Sequence, residues 1–158
     1  MTPTPSPIPY QATEPFDWSV LLHLIQTEFA SMEGRIDPPS SMLRLTADDI
    51  ARQAASGEVW GIGLPPDACM FLTPKPDALY IGKLAVAAAH RGKGLARRLI
   101  DTAARRAQAL GLPVLELQVR VELVENQRAF AAMGFTETGR TAHAGFDRPT
   151  SITMRRTI

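Results

Sequence analysis

Leu79-Tyr80-Ile81-Gly82-Lys83-Leu84-Ala85-Val86-Ala87-Ala88 runs into Ala89-His90-Arg91-Gly92-Lys93-Gly94 and then into Leu95-Ala96-Arg97-Arg98-Leu99. The first segment is a long apolar run and reads as a strand over Leu79–Ala88. Beyond the glycines the period changes. Leu95, Leu99, Ala103, Ala107 and Leu110 form one stripe, with Arg97, Arg98, Arg105 and Arg106 largely off it, which predicts a helix. Gly111 and Pro113 supply its stop. Val114–Val121 then alternates: Leu115, Leu117, Val119 and Val121 face one way, and Glu116, Gln118 and Arg120 the other. Strand, glycine-rich loop, helix and strand in this order predict an α/β (α+β) chain with a mixed sheet.

Working outward, Val20, Leu21, Leu24, Ile25 and Phe29 fall at helical spacing within Phe16–Ala30. Paired prolines and serines make 34–41 a loop. Thr46 is a natural N-cap for a second helix that carries Asp48 and Asp49 in its first turn and stops near Gly57. Val59–Leu64 and Cys69–Thr73 read as strands separated by Pro65-Pro66-Asp67. Downstream come a short helix over Asn126–Met133, ended by Gly134, and strands over Phe135–Gly139 and Ser151–Arg155. Residues 1–13 form a proline-rich arm with a short edge strand near Ile8–Ala12, and 14–158 form one domain.

Bulk properties narrow the function. The chain has 158 residues, 45% of them apolar and 21% charged. With 17 basic and 16 acidic residues its net charge is +1, so it carries no strong electrostatic footprint for nucleic acid, and no nucleic-acid partner is expected. Cys69 is the single cysteine and the histidines are scattered, so no disulfide or zinc spacing exists and no metal is expected. No apolar run nears the ~20 residues of a membrane span. The N-terminus lacks the layout of a signal peptide, so no membrane partner and a cytoplasmic location are expected.

Arg91-Gly92-Lys93-Gly94-Leu95-Ala96 lies where a strand meets a helix. A helix N-terminus offers unpaired N–H groups and a positive dipole end, and glycines let an anion approach the backbone. Arg91 and Lys93 add charge for phosphate. A Walker loop fails because Gly94 follows Lys93, and a dinucleotide fingerprint fails because Arg97 stands where a third glycine belongs. A glycine turn needed only for geometry is the remaining alternative.

Further residues carry a resemblance. Arg91, Gly94 and Ala96 match the Arg/Gln-x-x-Gly-x-Gly/Ala signature of the GCN5-related N-acetyltransferase (GNAT) family. Leu84-Ala85-Val86 sits where that family's bulged strand pairs with the pantetheine arm of coenzyme A. Asn126, Phe130 and Met133-Gly134-Phe135 resemble its Asn…Tyr…Leu-Gly-Phe ending. The resemblance covers roughly residues 79–140. It implies a twisted, mostly antiparallel mixed sheet, splayed at the bulged strand and flanked by about four helices. It also implies acetyl-coenzyme A as acyl donor, held by backbone groups of Leu84, Ala85 and Val86, by 91–96 (Arg91, Gly92, Lys93, Gly94, Leu95, Ala96), and by Asn126 and Phe130. A small-molecule or peptide amine would be the acceptor, and a homodimer is expected by analogy. Asn126 also reads as a plain helix N-cap.

Acetylating an amine requires its neutral form, and only about 0.1% of a lysine-like amine is neutral near pH 7.4. In many members of the family a tyrosine protonates the leaving thiolate; Phe130 stands at that place and has no proton to give. Tyr80, eleven residues before Arg91, occupies the position of the family's glutamate base and would act through water. Glu28 and Glu33 are further candidate proton acceptors. Arg35, Asp37, His143, Asp147 and Arg148, in two polar loops, are the candidate acceptor-binding residues. A catalytically silent acyl-coenzyme A sensor is the alternative that Phe130 suggests.

Overall fold

The computed structural model describes residues 8–32, 34–40 and 44–158. Glu33, Ser41 and the first seven residues of the proline-rich arm lie outside them. The described elements run β1 (Tyr10–Gln11), α1 (Trp18–Ala30), α2 (Ala47–Ser56), β2 (Glu58–Ile62), β3 (Ala68–Pro74), β4 (Leu79–Val86), α3 (Leu95–Ala109), β5 (Val114–Arg120), α4 (Val124–Ala132), β6 (Thr136–Thr141) and β7 (Ser151–Thr157). All seven strands join one sheet in the order β1-β2-β3-β4-β5-β7-β6. Every neighbouring pair is antiparallel except β4 and β5, which are parallel and joined through α3. The expected edge strand exists as the two-residue β1 on β2.

Apolar clusters cover both faces of the sheet except at the edge strand β6, whose residues are all exposed. One apolar cluster lies under α3 and joins its Leu95, Leu99, Ile100, Ala103 and Ala107 to Ile81, Leu115, Leu117 and Met154. The other lies under α1 and α2 and joins Leu21, Leu24, Ile25 and Ile50 to Val59, Cys69 and Phe71. Helix starts follow capping chemistry. Asp17 accepts the Ser19 N–H at 3.1 Å, so α1 begins two residues later than its apolar period suggested. Thr46 and Asp49 form a reciprocal capping box for α2. Leu110, expected on the buried stripe of α3, is exposed because the helix has ended and Leu110 is its C-cap. At α4 the N-cap is Leu123, so Asn126 sits inside the first turn and is not the cap.

The feature that positions the site is a break in β4. Pairing with β3 goes from Cys69↔Ala85 to Phe71↔Gly82, two residues along β3 against three along β4. The extra residue makes a β-bulge, and Lys83 within it has φ 52°, a left-handed conformation that favours glycine. A bulge bends and twists its strand. Accordingly β4 stays paired with β5 only at Leu79↔Leu115 and Tyr80↔Glu116, then the two diverge. Glu116 pins the closed end, accepting from Lys75 Nζ at 2.6 Å and Arg155 Nη2 at 2.7 Å. The strand expected to reach Ala88 stops at Val86, and Ala88–His90 form a 3₁₀ turn.

Candidate functional site

The divergence of β4 and β5 opens a cleft of about 280 Å³. Tyr80 to Leu84 form one wall and Leu117 to Arg120 the other. Leu123, Asn126 and Phe130 approach from α4 and the turn before it; Phe29, Met32 and Ile36 close the cleft from the end of α1 and the loop after it. His143 and Ser151, from the β6–β7 segment, complete the lining.

Beyond β4, the glycine loop delivers the chain to α3. Gly92 has φ 80°, and Gly94, the N-cap of α3, has φ 79° and no side chain to cap the helix. The first N–H groups of α3 are therefore left without a side-chain acceptor. A Cβ built at either glycine would meet nothing within 4 Å, so the space over the loop is open. Arg91 and Lys93 are exposed beside it. A pyrophosphate fits this end, where open N–H groups and two cations coincide. An uncharged arm fits the cleft between diverging strands, where β4 and β5 no longer satisfy one another's backbone groups.

Several expected residues sit in this arrangement and others do not. Tyr80, Leu84, Asn126, Phe130 and His143 line the cleft. Ala85 is buried at 4% exposure in the cluster under α1, and Leu95 is buried under α3, so only their backbones are available to a ligand. Val86 and Ala96 are half-buried. Glu28 is 8% exposed and already occupied: its Oε1 accepts the Ala88 N–H at 3.1 Å and its Oε2 pairs with Arg91. Its carboxylate ties α1 to the glycine loop and is absent from the lining of the cleft. Arg35 pairs with Glu125, and Arg148 Nη2 reaches Asp37 Oδ2 at 2.9 Å. The Asp37 N–H donates to Glu122 Oε2 at 3.0 Å. These contacts tie the loop after α1 to the β6–β7 loop, to the turn before α4 and to α4 itself, and none of these residues lines the cleft; Asp147 is exposed and does not line it either.

Burial, with Glu116 nearby, raises the Tyr80 pKa above the ordinary phenol value. The phenol thus keeps its proton at neutral pH, which suits a donor better than the base expected from sequence. His143 Nδ1 contacts Thr150 Oγ1, which also accepts the His143 backbone N–H at 2.9 Å and so fixes the ring's position. Phe130 packs edge-on against Phe135 with centroids 5.9 Å apart.

Sequence reasoning missed Lys83, Gln118, Arg120 and Ser151 as cleft residues. Lys83 had a visible signal: it is the one charge inside the apolar run Leu79–Ala88. Arg120 and Gln118 were read only as the polar face of an alternating strand, and their exposure to a cleft follows from the splay.

Among curated protein sequences none matches this chain. Solved structures do. A PaiA N-acetyltransferase from Thermoplasma acidophilum, in complex with coenzyme A, superposes with a TM-score of 0.81 at 10% identity, over 97% of this chain and 99% of that one. A GNAT family acetyltransferase from Elizabethkingia anophelis with acetyl-CoA bound gives 0.69 at 15% identity over 96% and 98%. The ribosomal-protein-S18-alanine N-acetyltransferase from Escherichia coli gives 0.69 at 18% identity over 96% and 94%. At these identities the likeness speaks for the fold. The sequence itself matches the model of the acetyltransferase (GNAT) family over residues 18–135, from the start of α1 through α4 to Phe135, and the chain belongs to that family.

Proposed function

We propose that this protein transfers an acetyl group from acetyl-coenzyme A directly to a primary amine, with a small molecule as acceptor. The observation that carries the reading is the continuity of the cleft and loop: β4 and β5 part at Tyr80, and the strand that leaves β5 leads to the uncapped N-terminus of α3. Backbone groups of Leu84 and Val86 hold the arm of the donor, N–H groups across 91–96 hold its pyrophosphate, and Arg91 and Lys93 screen the charge. Glu28 is a strut that sets Ala88 and Arg91. The donor supplies an activated thioester. The ammonium first loses one proton to a base; a C–N bond then forms as the C–S bond breaks. The acylated nitrogen sheds a second proton, which restores the proton donor, and the departing sulfur takes one up.

Tyr80, whose phenol stays protonated, gives that proton in place of the missing hydroxyl at Phe130. His143, fixed through Thr150, accepts the acceptor's proton. The cleft of about 280 Å³ is shared with the donor's arm, and the room left beside it supports a small acceptor. Peptide acceptors are the competing class, since one structural neighbour is by name an alanine N-acetyltransferase of a ribosomal protein.

A second reading, an acyl-coenzyme A sensor without turnover, is favoured by Phe130 alone. A thiol-release assay with acetyl-coenzyme A across a panel of small amines and short peptides separates the readings. Turnover reduced at least tenfold by Tyr80→Phe supports the transferase and the Tyr80 role. Binding of acetyl-coenzyme A with no thiol release on any amine supports the sensor.

A further inference from the structure

Among the described residues, those lining the cleft include Lys83 and Arg120 but no aspartate or glutamate. The two cations differ. Arg120 sits in the field of Glu122 and Asp37, and its Nη2 donates to Pro39 O at 3.3 Å. Among the described residues Lys83 has no such company. It is half-buried, burial lowers its pKa, and no carboxylate among the described residues offsets the shift. A desolvated ammonium without a counter-charge is unfavourable in a finished fold.

The backbone makes the choice of residue more telling. At φ 52° a glycine would fit without strain, yet the bulge carries a lysine. Strain kept at a cleft points to a function for the side chain. Phe29, Met32 and Ile36 close the cleft with an apolar wall from the end of α1 and the loop after it.

We infer that Lys83 is the anchor for a carboxylate on the acceptor, so that the substrate class is small amino acids with apolar side chains. The inference rests on the transferase reading above and narrows it. Lys83 faces the carboxylate, the apolar wall takes the side chain, and the amine lies toward Tyr80 and the thioester. A purely cationic amine finds no acidic partner in the described lining and is repelled by the same ammonium.

Three linked measurements test this. The first is kcat/KM for L-leucine, L-methionine and L-phenylalanine against their carboxamides, at saturating acetyl-coenzyme A. The wild type should favour the acids by about tenfold or more, the worth of one charge-assisted contact. Lys83→Met should bring the acid-to-amide ratio close to one. If that variant misfolds, Lys83→Gly removes the ammonium while suiting the φ of the bulge. The second measures binding of N-acetyl-L-phenylalanine and its amide to the coenzyme A-loaded protein, which reads the anchor without turnover; the acid should bind tighter, and only when Lys83 is present. The third is calorimetry with acetyl-coenzyme A alone. A wild type that prefers amides, or a Lys83→Met variant that keeps the acid preference, overturns the inference and leaves the transferase reading standing. Acetylation of Lys83 itself on incubation with acetyl-coenzyme A also overturns it, because an anchor has to stay charged. Failure to bind acetyl-coenzyme A at all removes the reading beneath it.

Discussion

Replacing Glu28 separates a strut from a base. Its carboxylate makes two contacts, with the Ala88 N–H at 3.1 Å and with the Arg91 guanidinium. The Arg91 side chain is 57% exposed, so solvent screening holds that ion pair to under ~1 kcal/mol. Leaving the Ala88 amide unpaired costs ~1 kcal/mol, the low end for a lost acceptor because Ala88 itself is exposed. Together, Glu28→Ala removes about 1–2 kcal/mol of restraint on the loop, equivalent to a ~5–30-fold weaker Kd for acetyl-coenzyme A. Glu28→Gln keeps an oxygen for the amide and loses only the charge, so its Kd should rise less than ~5-fold. Titration calorimetry gives both Kd values, and a thiol-release assay at saturating acetyl-coenzyme A gives kcat. Under the strut account kcat at saturation falls no further in Glu28→Gln than in Glu28→Ala. An unchanged Kd for Glu28→Ala, together with a collapse of kcat in both variants, would refute the strut and make Glu28 the proton acceptor.

Other parts of the molecule give independent checks. Burial alone would raise the Glu116 pKa, but hydrogen bonds from Lys75 and Arg155, with their charges, outweigh it and hold the carboxyl below its ordinary value of 4.5. A carboxyl depressed in the fold stabilises above that ordinary value and loses the contribution as pH falls through its folded pKa. Glu116→Gln should therefore lower Tm at pH 7 by a few degrees, from ~1–2 kcal/mol after discounting for two partly exposed cations, and the deficit should shrink below about pH 4 in thermal melts. Burial pushes the Cys69 thiol up to about 12, with the side chain fully enclosed. The native protein should accordingly resist iodoacetamide at pH 8 and take up one equivalent only in denaturant, as read by mass spectrometry.

The order of elements was legible because three patterns were strong. The apolar run from Leu79, the helical stripe of α3 and the alternation of β5 are each unmixed signals. Burial of Leu79 and Ile81, of Leu99 and Ala103, and of Leu115, Leu117 and Val119 enforces them, although Glu116 on the expected polar face of β5 is buried as well. Ends of elements were less legible, because capping decides them: Asp17 delays α1 and Leu123 moves α4 forward of Asn126. The glycine loop was readable from residues alone, since Gly92 and Gly94 are needed for a positive φ. The cleft was not. It depends on a single extra residue in β4, and no periodicity marks a lysine as that residue. Loop side chains were harder still. Arg35, Asp37 and Arg148 look substrate-facing because they are polar, but each has found a partner on another element, Glu125 in the first turn of α4 for Arg35, through contacts that span more than eighty residues of sequence.

The most direct test of the central claim, an acyl-coenzyme A site at the uncapped start of α3, is calorimetric titration of acetyl-coenzyme A into the wild type and into Gly94→Asp. Gly111→Asp serves as the control, since Gly111 has φ 73° at the far end of the same helix and carries a similar backbone strain. The account predicts micromolar binding to the wild type and to Gly111→Asp, and loss of binding in a Gly94→Asp variant whose circular dichroism is native. Equal affinity in Gly94→Asp, or no binding to the wild type, would contradict it.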